Sequence, residues 1–121
     1  MGGPGGRRMT ARDSFGDPQA NPIGTDLVYE DASVRIWRLE LPPGAEAPWH
    51  THVLDYTTVV VAGGVVDREN DDGTVDRFEL EPGDLMRGRD GTIRHMVRNV
   101  GSTPFANVIV EVKGTQLEIG S

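Results

Sequence analysis

From Leu27 onward no segment carries a helical hydrophobic period over about ten residues or more. What the chain carries instead is a series of short runs rich in Val, Ile, Thr and aromatic residues. They are cut by turn clusters at Pro42-Pro43-Gly44, Gly63-Gly64, Asn70-Asp71-Asp72-Gly73, Glu81-Pro82-Gly83-Asp84 and Gly101-Ser102-Thr103-Pro104. Gly supplies positive φ, Pro fixes φ, and Asp and Asn bond their own backbone, so each cluster reverses the chain for a stated reason. Roughly eight or nine short strands joined this way predict an all-β, antiparallel sandwich or barrel. At 121 residues the chain makes one domain with a core of its own.

The expected strands are Leu27–Tyr29, Val34–Leu41, a His50/His52 strand running on into Val59–Val61, Val65–Arg68 and Thr74–Leu80 as a hairpin, Leu85–Arg87, Thr92–Val100 and Phe105–Val112. Gln116–Ile119 reads as a last edge strand. In Val34–Leu41, the apolar residues change parity between Ile36 and Trp37, which predicts a bulge near Ile36. Residues 1–24, rich in Gly, Pro and Arg, read as a flexible arm, leaving 25–121 as the barrel.

The chain has three histidines. His50 and His52 are two apart, and in extended backbone residues i and i+2 face the same way. His95 lies in a later strand-like run. Two imidazoles projecting together and a third on another strand predict a metal site, with Tyr56 on the same parity and close by. Asp55 has the wrong parity unless a bulge turns it inward, and it stands as a possible fourth ligand. Three neutral imidazoles would leave a divalent ion its full charge and open positions, which suits an anionic or chelating small substrate. Tyr56 is a candidate proton donor. Arg87 is the preferred candidate for clamping a substrate carboxylate, ahead of Arg94 and Arg98. Trp49, Met86 and Met96 are candidate cavity residues. Trp37 and Phe105 read as core or dimer-interface residues, and Asn99 as structural or as support behind a ligand rather than a ligand itself.

The charge balance, 12 basic against 19 acidic residues for a net −7, argues against nucleic acid and anionic membranes as partners. There is no cysteine, so disulfides and thiolate chemistry are excluded. No apolar run approaches ~18 residues, and Arg7-Arg8 is not followed by an apolar segment. A cytoplasmic location is the expectation.

Two motifs resemble those of the cupin family, small jelly-roll barrels that hold a metal inside. The first family pattern, Gly, five residues, His-x-His, three or four residues, Glu, six residues, Gly, is matched by Gly44, His50, His52 and Gly64. Its Glu falls at Tyr56 or Thr57, a departure that removes the usual carboxylate. The second, Gly, five residues, Pro-x-Gly, two residues, His, three residues, Asn, is matched by Gly83, Gly91, His95 and Asn99, with Arg89 for Pro and one extra residue before His95. Trp49–Tyr56 and the Val-rich stretch after it look most like the small single-domain cupins associated with β-alanine degradation. The resemblance implies a cupin-type antiparallel jelly-roll barrel, a homodimer, and a divalent transition metal on three histidines, iron(II) preferred and zinc, nickel or manganese possible. It implies a non-haem dioxygenase-type activity on a small enolisable or acidic substrate. The alternatives are a non-redox cupin (cyclase, isomerase, lyase or decarboxylase) and a non-catalytic metal- or ligand-binding module.

Overall fold

Nine strands form two antiparallel sheets in the computed structural model, which describes residues 17–88 and 94–113. They are β1 (Asp26–Glu30), β2 (Val34–Leu41), β3 (Glu46–His50), β4 (Asp55–Ala62), β5 (Gly64–Asn70), β6 (Val75–Leu80), β7 (Leu85–Gly88), β8 (His95–Asn99) and β9 (Phe105–Val112). One sheet runs β1-β2-β9-β4-β7, the other β3-β8-β5-β6. The two face each other as a jelly roll, as the turn pattern predicts. Among the described residues no helix is long and apolar enough to cross a membrane.

The turn clusters act as read. The Asn70–Gly73 turn closes the β5–β6 hairpin, with Val66 opposite Phe78 and Arg68 opposite Asp76. The glycines that open the two motifs, Gly44 and Gly83, sit at φ +84° and +94°, a region that L side chains rarely adopt. Gly83 N–H then donates to the Val60 carbonyl at 2.8 Å, tying its turn to β4.

Strand alternation sets the core. The inward residues of β2, β4 and β9 include Trp37, Leu39, Leu41, Val60, Phe105 and Ile109, all buried. Burying a side chain such as Phe105 contributes roughly 1.5–3 kcal/mol. The expected bulge near Ile36 is not in β2, which pairs with β9 without interruption from Val34 to Leu41. The irregularity lies across from it, in β1 between Leu27 and Tyr29. The parity change in the sequence has another cause: the inward position before Trp37 is Arg35. That guanidinium is buried against Glu30 at 2.8 Å, and Lys113 Nζ donates to the same carboxylate at 2.7 Å. A paired charge takes an interior place that apolar counting assigns to Val34 and Ile36.

Of the arm expected over 1–24, the described part is seated on the barrel. Asp17 accepts from Gln19 N–H at 2.9 Å, Asn21 Nδ2 donates to the Thr51 carbonyl at 2.6 Å, and Ile23 is buried in the core. The edge strand expected at Gln116–Ile119 lies outside the described residues.

Candidate metal centre

The two histidines of the His-x-His motif do not share one continuous strand. β3 ends at His50, residues 51–54 cross between the sheets, and β4 opens at Asp55 in the other sheet. His52 stands in that crossing. The chain stays extended enough that both rings still turn inward, and both are buried. His95, the first residue of β8, is the direct cross-strand partner of His50, a placement that brings side chains within about 5 Å. The three ring centroids lie 4.9, 4.7 and 5.2 Å apart, and one donor nitrogen from each ring lies within 4.8 Å of the others.

Hydrogen bonding sets the tautomer of His50. Its Nδ1 is 2.8 Å from the Pro48 carbonyl oxygen, which can only accept. Nδ1 therefore carries the proton, and Nε2 keeps its lone pair for a ligand. His52 Nδ1 is buried with no partner. Burial, reinforced by the neighbouring imidazoles and the Arg68 guanidinium, lowers His52 to about 2. Burial, His50 and Arg68 lower His95 to about 4. His50 is also lowered by burial, against the opposing pull of the Pro48 bond. All three rings are neutral near pH 7, the form that a metal ion requires. An orphaned imidazole nitrogen inside an all-nitrogen donor set fits a divalent transition metal.

Tyr56 stacks on His52, with centroids 3.7 Å apart and planes 17° from parallel. Its pairing partner across β4 and β7 is Gly88, and a Cβ there would overlap the Tyr56 ring. The missing side chain at Gly88 is what lets the ring lie down on His52. Burial raises the Tyr56 hydroxyl above its ordinary value, opposed by Arg68, so it stays protonated at neutral pH.

A cavity of about 100 Å³ opens beside the triad, walled mainly by apolar residues such as Leu39, Val66, Phe78 and Ile109. Met86 lines it; Met96 is buried but does not, and Trp49 lies outside it beneath the Arg94 guanidinium, 5.2 Å from the ring. Trp37 and Phe105 are core residues. Asp55 pairs with Val112 in the β4–β9 register, and its carboxylate is not part of the histidine cluster. Arg87 borders the cavity, but it is an exposed residue opposite Thr57, on the alternate parity from Met86 and Gly88. Arg98 is on the outer face, with Glu46 at 2.8 Å. Asn99 is fully buried and donates to the carbonyls of Leu41 at 2.8 Å and Thr103 at 2.9 Å, a structural role as expected.

Among the cavity residues that escape the sequence reading, two carry polar groups left unpaired. Arg68 sits between Asp67 and Glu69 and reads as surface, yet it lines the cavity with the triad. Asn107 lines it too, from the inward face of β9. The usable signal is parity: Arg68 shares it with buried Val66, and Asn107 with Phe105 and Ile109.

Comparison with known proteins agrees with this architecture. A family model described as the cupin domain matches residues 37–111. A cupin domain from Bordetella pertussis Tohama I is 28% identical with a TM-score of 0.66, covering 72% of this chain and 88% of its own. An uncharacterised protein with a double-stranded β-helix domain from Klebsiella pneumoniae is 26% identical with a TM-score of 0.61, covering 90% and 91%. A cupin-family protein from Methanocaldococcus jannaschii shares the fold, with a TM-score of 0.62 at 15% identity over 77% of this chain and 83% of its own. No curated protein matches the chain. With more than half its length matched by the family model and its three histidines gathered inside a jelly-roll barrel, the chain belongs to the cupin family.

Proposed function

We propose that this cupin is a cytoplasmic metalloenzyme that holds a divalent transition metal, iron(II) first, on His50, His52 and His95. Its substrate is a small anionic or chelating organic molecule, and oxygen-dependent cleavage of an enolisable or acidic compound is the reading best supported. One observation carries it: three neutral imidazoles, with no carboxylate in the cluster, open onto a small apolar cavity. Such a donor set leaves the ion's charge uncompensated and favours an anionic chelator. When bound, the metal supplies Lewis acidity and, as iron(II), redox chemistry with dioxygen. The protein's own residues do the rest. The mainly apolar cavity walls shape the space beside the triad, His50 is held in one tautomer by Pro48, and Tyr56 holds a proton at its hydroxyl beside His52. The likeness of Trp49–Tyr56 to small cupins associated with β-alanine degradation agrees with a short acidic substrate.

The protonated Tyr56 hydroxyl specifically favours a second reading, non-redox isomerisation, cyclisation or decarboxylation, in which Tyr56 gives or shares a proton. Metal analysis of protein purified without added salts, followed by oxygen uptake with acetylacetone as probe, separates the two. Bound iron with oxygen consumption supports the first reading. Zinc or nickel with product but no oxygen uptake supports the second. Ligand binding without product over hours points to a binding module. Failure to retain any transition metal overturns both enzymatic readings.

A second copy of the chain is the proposed partner. Val34, Ile36, Val59, Val61, Val108 and Val110 alternate away from the core on the outer face of adjacent strands β2, β9 and β4. That apolar strip is continuous across three strands, and a twofold axis would set it against itself. Light scattering that reports a monomer at micromolar concentration would remove the homodimer.

A further inference from the structure

Among the described residues, three buried side-chain polar atoms have no partner: His52 Nδ1, Arg68 Nε and Asn107 Oδ1. All three belong to residues that line the one cavity beside the triad. Buried polar groups are paired in the great majority of cases, and an unpaired one is costly. Arg68 and Asn107 therefore bring a cationic side chain and a carboxamide, each with an unmatched atom, to the wall of the triad's cavity. His52 Nδ1 belongs to the triad, while Arg68 Nε is a charged N–H donor and Asn107 Oδ1 an acceptor.

Arg68 is fixed in place rather than waiting for an internal acid. Its Nη2 donates to Asp76 at 2.9 Å, its guanidinium carbon lies 5.2 Å from the Phe78 ring centroid, and Asp76 is itself held by Asn70 Nδ2 at 3.2 Å. One nitrogen of the guanidinium is thus committed to Asp76, while the Nε edge is buried and unmatched. An anionic oxygen is the partner such an edge accepts most strongly. Asn107 sets a second requirement, for a hydroxyl or amine that donates.

We propose that the cavity takes a short carboxylic acid that also bears a hydroxyl or amine, with the carboxylate on Arg68 and the donor on Asn107. The proposal deepens the metalloenzyme reading and rests on its placing the ligand in the triad's cavity. It makes Arg68, rather than Arg87, the residue that selects acids. The cavity, about 100 Å³, is small for a ligand site and keeps the ligand short.

Titration calorimetry tests this on metal-free and on nickel-loaded protein, with lactate, 3-hydroxybutyrate and the primary amides of both, and with butyrate. The wild type is expected to bind the hydroxy acids at least tenfold tighter than their amides in both forms. Arg68→Gln is expected to erase that preference with nickel content unchanged. Arg68→Lys, which keeps the charge but moves the donor, keeps a smaller preference and carries the test if the Gln variant does not fold. Asn107→Leu is expected to lose the preference for 3-hydroxybutyrate over butyrate while still favouring acids over amides. Equal binding of acids and amides by the wild type, no binding of any acid, or wild-type affinity in Arg68→Gln overturns the proposal. Loss of nickel from Arg68→Gln also counts against it, because Arg68 would then be supporting the triad. If the wild type binds no nickel, the metal reading falls while the metal-free titrations still decide the role of Arg68.

Discussion

Tyr56 lies flat on His52, 3.7 Å between ring centroids, and it does so over a glycine on the neighbouring strand. The stack separates two contributions of one residue, its ring and its hydroxyl. Tyr56→Phe keeps the ring, so metal content is expected to stay at the wild-type level while turnover falls about a hundredfold or more. Gly88→Ala does the opposite: its methyl enters the space of the ring, and metal affinity is expected to fall roughly 10- to 100-fold, the usual scale for losing a group that orients a ligand. Parallel metal analysis and steady-state kinetics on the two variants check both. Full turnover by Tyr56→Phe would exclude Tyr56 as a proton donor.

His52→Ala is expected to lose metal affinity by more than that 10- to 100-fold range while keeping the jelly roll, because a donor itself is removed. Linkage provides the measurement. At a free metal concentration of 100 times Kd, the wild type gains about 2.7 kcal/mol, and the thermal midpoint rises by about 10 °C. The same addition is expected to leave the midpoint of His52→Ala unmoved. An equal rise in both proteins would place the metal elsewhere.

The metal-free protein is expected to lose stability between pH 6.5 and 5. In the unfolded chain histidines protonate near pH 6.5. In the folded state burial and neighbouring charge hold His95 down at about 4 and His52 at about 2. The folded values lie below the unfolded ones, so the contribution is complete above pH ~6.5 and is lost as pH falls and the unfolded state takes up protons. Two such groups give a slope approaching ~2.7 kcal/mol per pH unit, and a loss on the order of 3 kcal/mol by pH 5. Carboxylates lowered by their partners, such as Asp31 and Asp67, titrate below this window. Urea midpoints at pH 7.5 and 5.0 decide the matter; equal midpoints would mean the imidazoles are protonated in the fold.

Asn99 ties the end of β2 to the turn after β8: it donates to Leu41 and Thr103 and accepts from Gly101 N–H at 2.9 Å. Asn99→Ala strands those buried groups and is expected to cost about 3 kcal/mol in urea denaturation, with metal content per folded molecule unchanged. A fully stable variant that had lost its metal would instead make Asn99 a ligand.

Much of this molecule is legible in the chain. The Gly- and Pro-containing clusters mark the strand ends, and the histidine spacing marks the triad, because both depend on local geometry. What the sequence hides depends on partners. The His50/His52 run reads as one strand because nothing local reports that β3 and β4 pair in different sheets. Arg35 looks misplaced until Glu30 and Lys113 are beside it. Arg68 reads as a surface charge between two acids, and only its register against Asp76 and Val97 turns it inward. Arg87, nearer in sequence to His95, is exposed on a four-residue strand and still borders the cavity.

The crossing of the chain between His50 and Tyr56 puts the triad at the seam of the sandwich. His50 and His95 belong to one leaf, His52 to the link, and the ring stacked on it to the other. An ion held at that seam acts as a clasp, since the leaves cannot gape without straining its coordination. Occupancy and breathing then share one coordinate: amides flanking the seam should exchange with deuterium more slowly when the clasp is shut, and a ligand that loosens it would be felt along both sheets.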